Sequence, residues 1–346
     1  MNSTTSPTPP LDPEVQGAVR AILGHIDLLS ADAIPGIDQV AWDALAAGGF
    51  TLLNVAEEIG GSGGTVRDLA AAVHEAAYAC ARVPIVETAW LAGPLLSNVG
   101  VRPGDAPLTA TVAPEVWLEH DRAASGRVVG VPALRWAERV LLLISDAPRV
   151  LLVDPAAPGV HMETSNNLAG EPRDGLVLTD ASVEWFSVDR GQDLLLRRRG
   201  ALARAVQIAA VAQRVQDMTV EHARARKQFG RAITAFQAVQ HRLTALAGDV
   251  VTMRAAVDAA VEAEADDRPD AEFLVAVAKA ETSAAAGRVA SAAHQVHGAL
   301  GFTLEHDLGA ATKRLWSWRE EFGNESEWRA AVADRAAPRI WEWVTA

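Results

Sequence analysis

The sequence is poor in several features that would each have pointed to a class of protein. It holds one cysteine, Cys80, which excludes an intrachain disulfide framework and fits a reducing, cytoplasmic compartment. It has no run of 18 uninterrupted apolar residues, so no segment reads as a membrane span. Positive charge is in deficit: 31 Lys plus Arg stand against 44 Asp plus Glu, a formal charge of -13. Such a surface repels polyanions, and nucleic acid is not an expected partner, although a local basic patch can still receive a phosphate. Residues 1–11 carry Pro, Ser and Thr without a charged side chain, too polar for a signal peptide, and read as a loose arm.

At 346 residues the chain is long enough for two or three domains and a sizeable core. Periodicity divides it into three blocks. Over residues 12–106 it is rich in Ala and Leu, and Val15, Val19, Ile22, Leu23, Ile26 and Leu29 form an apolar stripe with helical spacing. Trp42, Leu45, Phe50 and Leu53 continue the pattern to a glycine-rich break at Gly60, Gly61, Gly63 and Gly64. A second helix over Leu69 to Cys80 ends before Pro84, and a short one follows over Thr88 to Asn98. Over residues 107–190 the apolar residues instead come in short runs bounded by Pro, Gly, Asp and Asn. Val128 to Val131, Val140 to Ile144, Val150 to Val153 and Leu176 to Leu178 read as strands of a small β domain with few polar residues suited to chemistry.

From residue 191 to 346 long helical periodicity returns. Val239, Leu243, Leu246, Val250, Met253, Val257 and Val261 alternate steps of four and three, one seam of a bundled helix. Arg268-Pro269-Asp270 separates it from an Ala-rich helix running to about Val296. The expected fold is α+β: helical domain, small middle β domain, four-helix-bundle domain.

Two segments carry a resemblance. One runs from Arg226 through Lys227, Gln228, Phe229, Gly230, Arg231 and Ala232 to Ile233, followed by Phe236-Gln237-Ala238-Val239-Gln240-His241. The other is Gln295-Val296-His297-Gly298-Ala299-Leu300-Gly301-Phe302-Thr303, followed by Glu305-His306. Glu57-Glu58-Ile59-Gly60-Gly61, after Phe50, adds a third match. Together they resemble signature regions of the acyl-CoA dehydrogenase family, across essentially the whole chain with a poor match in the middle. The resemblance implies FAD as cofactor, an acyl-CoA substrate desaturated between its α and β carbons, and a flavoprotein electron acceptor.

By that resemblance Arg226, Gln228 and Phe229 contact a flavin dinucleotide bound mainly by a neighbouring subunit. An arginine fork suits a diphosphate, and a phenylalanine packs on a ring. Gln295, Gly298 and Gly301 fall where the family lays backbone against the pyrophosphate, with Ala299 replacing one glycine. Blander readings stand beside these. Arg226 and Lys227 suit a helix terminus, and His297 suits a packed position between helices. His241 has no Asp or Cys pattern of a triad or metal centre around it. Trp316, Trp318, Trp328, Trp341 and Trp343 read as packing residues, some of them closing a groove.

The reacting end departs from the family. The base is there a glutamate before a glycine, and the ungapped match is Phe322-Gly323, which has no proton-accepting group. Glu320 and Glu321 are displaced from that slot, Glu321 being the available substitute. A minority of relatives carry the base on the helix before the first motif, where the match is Gly200 and a small shift reaches Ala203. No Asp or Glu occurs from Leu194 to Gln216. The segment that binds the flavin ring is reduced to Thr109-Ala110-Thr111-Val112-Ala113-Pro114-Glu115, with Thr111 as its candidate. These departures fit a helper chain that shares FAD across an interface with a catalytic sister subunit, in a heterodimer or heterotetramer. Some family members of this kind act on sterol-derived or ring-containing acyl-CoA. A self-sufficient homomeric dehydrogenase using Glu321, and a non-enzymatic acyl-CoA binder or scaffold, are the alternatives.

Overall fold

The computed structural model describes residues 10–26, 28, 36–120, 122–144, 148–298, 301 and 307–336. Most of the expected arm, Leu29 of the first stripe, Ala299, the motif residues from Phe302 to His306, and Trp341 and Trp343 lie outside the described residues.

The N-terminal part is helical. Helix α1 (Pro13–Gly24) starts on Asp12, whose carboxylate accepts from the amides of Glu14 and Val15, with proline at its first position. Helix α2 is Gln39–Ala47, and α3 (Val66–Tyr78) opens with a reciprocal capping box between Thr65 and Asp68. The expected short helix after Pro84 is real but changes pitch within itself. Val86–Ala92 is a wide π turn, and α4 (Gly93–Val99) continues it as regular helix. All seven residues of the π turn are buried, Glu87 among them.

The middle part is two four-stranded sheets. Strands β1 (Leu108–Val112), β4 (Arg139–Ile144), β5 (Arg149–Val153) and β8 (Glu184–Ser187) lie side by side in that order, with β1 parallel to β4 and the other pairs antiparallel. Strands β2 (Val116–His120), β3 (Ala123–Pro132), β7 (Arg173–Ser182) and β6 (Val160–Glu163) form the antiparallel second sheet. All four apolar runs read as strands fall within β3, β4, β5 and β7. Strand β4 is apolar on both faces because both are covered. Val140, Leu142 and Ile144 enter the core between the sheets, while Leu141 and Leu143 join the core of the helices.

The C-terminal part is a bundle. Helix α5 (Gln192–Ala225) leads into a hairpin of β9 (Lys227–Gln228) and β10 (Arg231–Ala232), then into α6 (Gln237–Ala265) and α7 (Ala271–His297). The seam read from the sequence is the buried side of α6 from Leu246 to Val261, and Val239 and Leu243 pack in a small cluster at its start. The fourth member of the bundle is divided into α8 (Asp307–Trp318) and α9 (Glu325–Ala336), joined by a tight turn. One hydrophobic core runs through α1, α3, the π turn, the inner face of the first sheet and α5 to α8. The site is therefore framed by all three parts. No helix among the described residues is long and apolar enough to cross a membrane.

Candidate functional site

Two ends of helix α5 hold the residues singled out in the sequence. At its C-terminus Arg226 leaves the helix with extended backbone, its amide donating to His222 O at 2.8 Å. The hairpin that follows pairs Gln228 with Arg231 and turns through Phe229 and Gly230, both at positive φ (50° and 79°). Two such residues between antiparallel strands make the tight primed turn whose twist suits a hairpin. Phenylalanine is a costly choice there, and Phe229 is also 92% exposed. Its ring lies 6.1 Å from that of Phe236 in a T-shaped pair, and Arg231 lies 4.5 Å over that second ring.

The second motif arrives at the same place. Val296 packs with Ala223 and Ile233 in a small core, and the His297 ring stacks on His222 at 4.3 Å. Gln295 and Gly298 on either side are exposed. Gly298 takes φ 63° and ψ -142°, a region open essentially to glycine alone. Gly301 is explained by crowding: a Cβ there would come 3.0 Å from His297 Cβ and 3.1 Å from Leu308. His297 is buried, its Nδ1 2.9 Å from Ala293 O, as suits a packed histidine. Arg226, Gln228 and Phe229, on or beside the hairpin, thus meet Gln295 and Gly298 at the adjoining helix end, and Gly301 is packed against His297 and Leu308 beside them.

The other end of α5 is closed. Phe322 (φ 55°) and Gly323 (φ 98°) are consecutive left-handed residues that turn the chain between α8 and α9. This geometry lays the Phe322 ring on Gly200, where a Cβ would sit 2.2 Å from its Cδ1. Trp328 Nε1 donates to Phe322 O at 3.0 Å and fixes the turn from behind. The two positions at which the family resemblance placed a base therefore touch each other, and one is a phenyl ring filling the space the other's missing side chain leaves. Thr111, on β1, is half-buried, and its hydroxyl lies 3.5 Å from Val112 O.

One residue away, Glu321 is engaged from both sides. Arg173 reaches it through Nε and Nη2 at 2.8 and 2.9 Å, Arg204 Nε donates at 2.8 Å, and Asn167 Nδ2 at 3.2 Å. Burial pushes its pKa up, but Arg173 and Arg204 outweigh this and hold it below the ordinary carboxylate value. The network continues outward. Arg204 donates to Glu87 at 2.7 Å and to Gln207, and Glu171 accepts from Arg314 at 3.1 Å and Trp318 Nε1 at 2.8 Å. Burial raises the Glu171 pKa, yet Arg173 and Arg314 pull it down to about 2. Beneath, the fully buried Lys279 donates to Ser283 Oγ, Trp318 O and Arg319 O at 3.0, 3.2 and 2.8 Å. Its burial lowers the ammonium pKa to about 7.

A carboxylate whose lone pairs face two guanidinium groups is a weak base with no free lobe towards a carbon acid. The hollow beside it, between Glu87, Trp136, Arg173, Gln207 and Trp318, measures about 40 Å³. That is room for roughly one water, against several hundred Å³ for a flavin ring or a thioester. That hollow by itself does not admit a flavin ring. The hairpin end does offer groups that fit a dinucleotide: an exposed guanidinium, two amides and an aromatic face. The middle part contributes more than its strand pattern suggested, since Glu171 and Arg173 come from it. Of the network, only Arg204 and Gln207 leave a local signal, as polar residues inside the apolar run from Ala201 to Ala212.

Comparison with known proteins bears on these two ends. The model of the acyl-CoA dehydrogenase N-terminal domain matches residues 18–101, and that of the C-terminal domain matches residues 196–336. Acyl-CoA dehydrogenase FadE34 of Mycobacterium tuberculosis is 34% identical over 316 residues, which span 84% of this chain but only 42% of FadE34. Acyl-CoA dehydrogenase IpdE2 of Mycolicibacterium smegmatis is 28% identical over 285 residues, 81% of this chain and 82% of that protein. Among solved structures, the ChsE4-ChsE5 complex from Mycobacterium tuberculosis superposes with a TM-score of 0.81 at 23% identity, covering 94% of this chain and 96% of the other. A variant of the Tcur3481-Tcur3483 steroid ACAD does so at 0.83 and 24% identity, covering 94% and 98%. At those identities the structures speak for the fold.

Proposed function

We propose, from the premise that this chain belongs to the acyl-CoA dehydrogenase family, that it is a helper subunit. In this reading it completes the FAD site of a catalytic sister chain and carries out no proton abstraction of its own. The observation that carries the proposal is the separation of the two ends of α5. Gly200 and Arg226 stand 26 residues apart on one helix, roughly 39 Å at the α-helical rise. A single dinucleotide does not span from one to the other. The open end therefore serves a flavin whose reacting ring lies elsewhere, in a neighbouring subunit, while this chain's own reacting end is filled.

In that assembly Arg226 supplies a charged fork to a diphosphate, Gln228 and Gln295 supply amide hydrogen bonds, and Phe229 covers an aromatic face. Gly298 and the hairpin turn set the angle at which these groups are presented. When bound, FAD supplies the hydride-accepting chemistry of α,β-dehydrogenation, with electrons passed on to a flavoprotein acceptor. The substrate we assign is a ring-containing, sterol-derived acyl-CoA. The neighbour described as a steroid ACAD supports this substrate, and the two-chain ChsE4-ChsE5 complex supports a paired assembly. Glu321 as a substitute base is disfavoured by its two guanidinium partners and lowered pKa.

The test is to purify the chain alone and together with a sister dehydrogenase chain, recording flavin absorbance and assembly mass. FAD with acyl-CoA-dependent bleaching is expected in the complex only. Arg226→Ala should weaken FAD retention there by about tenfold or more, the range of a charge-assisted hydrogen bond. Full activity of the chain by itself would sink the proposal.

A further inference from the structure

We propose that the buried ion-pair network, without a bound cofactor, fixes the three parts of this chain relative to one another, so that the chain folds and keeps its native structure without FAD. The inference concerns this chain's own folding and stands apart from the helper reading.

Each part of the chain contributes to the network. Glu87 comes from the π turn of the N-terminal helices, Glu171 and Arg173 from the middle part, Arg204 from α5, and Arg314 and Glu321 from α8 and the turn after it. Three carboxylates face three guanidinium groups, and every member has a partner from a different part of the chain. Arg204 is 1% exposed and joins Glu87 at 2.7 Å to Glu321 at 2.8 Å, so one side chain links the N-terminal helices to the α8–α9 turn. Arg173 carries the link into β7. Lys279 holds the start of the same turn to α7 through the carbonyls of Trp318 and Arg319.

The hollow beside the network is about 40 Å³, and the space over Gly200 holds the Phe322 ring. Widening that hollow for a ring would separate buried charges from their partners, and a complete buried network is costly to break although it adds little when compared with apolar packing. The network thus gives the three parts their mutual position without a cofactor.

Thermal unfolding of the purified, flavin-free chain with and without excess FAD tests this. The expected midpoints agree to within about 1 °C, because a ligand that binds only the folded state must raise the midpoint. Arg204→Met should lower the midpoint by about 5–10 °C. If that variant does not fold, Glu321→Gln provides a milder break. It should speed hydrogen exchange in both the π turn (Val86–Ala92) and residues 165–173, segments of different parts of the chain. A rise of about 4 °C or more with FAD would overturn the proposal, as would unchanged midpoints in both variants or faster exchange confined to the turn around Phe322. Absence of FAD from the co-purified pair would count against the helper role and leave this inference standing.

Discussion

Along α5 one helix carries two regions built on opposite principles. Near Gly200 and Arg204 only a hollow of about 40 Å³ is described: charges are paired, a phenyl ring fills the space over Gly200, and buried groups hold one another in place. Near Arg226 the polar and aromatic groups point outward, and Phe229 is held in a costly backbone conformation with almost no contact of its own. The first region ties elements from different parts of the chain together through buried charges. The second makes few contacts within the chain and presents an exposed aromatic ring at its turn.

That contrast can be broken by mutation, most strongly at its closed end. Arg204→Leu leaves Glu87 and Glu321 buried without their shared partner, and denaturant unfolding should show a loss of about 5 kcal/mol, the upper part of the range for such breaks. Next in size is the pH dependence contributed by Lys279, whose folded pKa of about 7 lies below its ordinary 10.5. Between those values the unfolded chain holds the extra proton, so stability rises with pH from 7 towards 10.5, by on the order of 4 kcal/mol if nothing else titrates. A Lys279→Met variant should lose that slope.

Glu171 acts in the opposite range. Its folded pKa of about 2 lies below the ordinary 4.5, so its contribution is fully present above pH 4.5 and lost as pH falls towards 2. Acid titration of stability should show a decline on the order of 3 kcal/mol that Glu171→Gln removes. Gly200→Ala should cost about 1–3 kcal/mol by pressing a methyl into the Phe322 ring, and a Phe322→Ala background should relieve most of that cost. If the two losses simply add, the contact is not the reason for the glycine. Smallest of all, Phe229→Gly should leave stability unchanged or raise it by up to about 1 kcal/mol, since it removes a left-handed phenylalanine. The same variant should weaken assembly with a sister chain, measured by co-purification or light scattering.

Much of the fold was legible because its signals are local. The α6 seam repeats every three or four residues, and the runs at Val128, Val140, Val150 and Leu176 are short and bounded by turn residues. The motif from Arg226 to Ile233 could be recognised because it is continuous in sequence, but its hairpin was seen only in the structure. The network was not legible. Its members lie at positions 87, 171, 173, 204, 314 and 321, and no spacing rule connects them. The π turn that inserts Glu87 into the core looks, in sequence, like the start of an ordinary short helix. The packing of Phe322 on Gly200 joins residues 122 positions apart.

By itself the sequence determined the α+β layout, the absence of a carboxylate from Leu194 to Gln216, and the phenylalanine before Gly323. Those are properties of residue type and order. Only the tertiary structure decided that the two empty base positions meet, that Glu321 is bound by Arg173 and Arg204, and that the hairpin and the end of α7 face outward together. The physical reason is range. Periodicity and turn chemistry act over a few residues, whereas a buried charge finds its partner wherever folding leaves it no water.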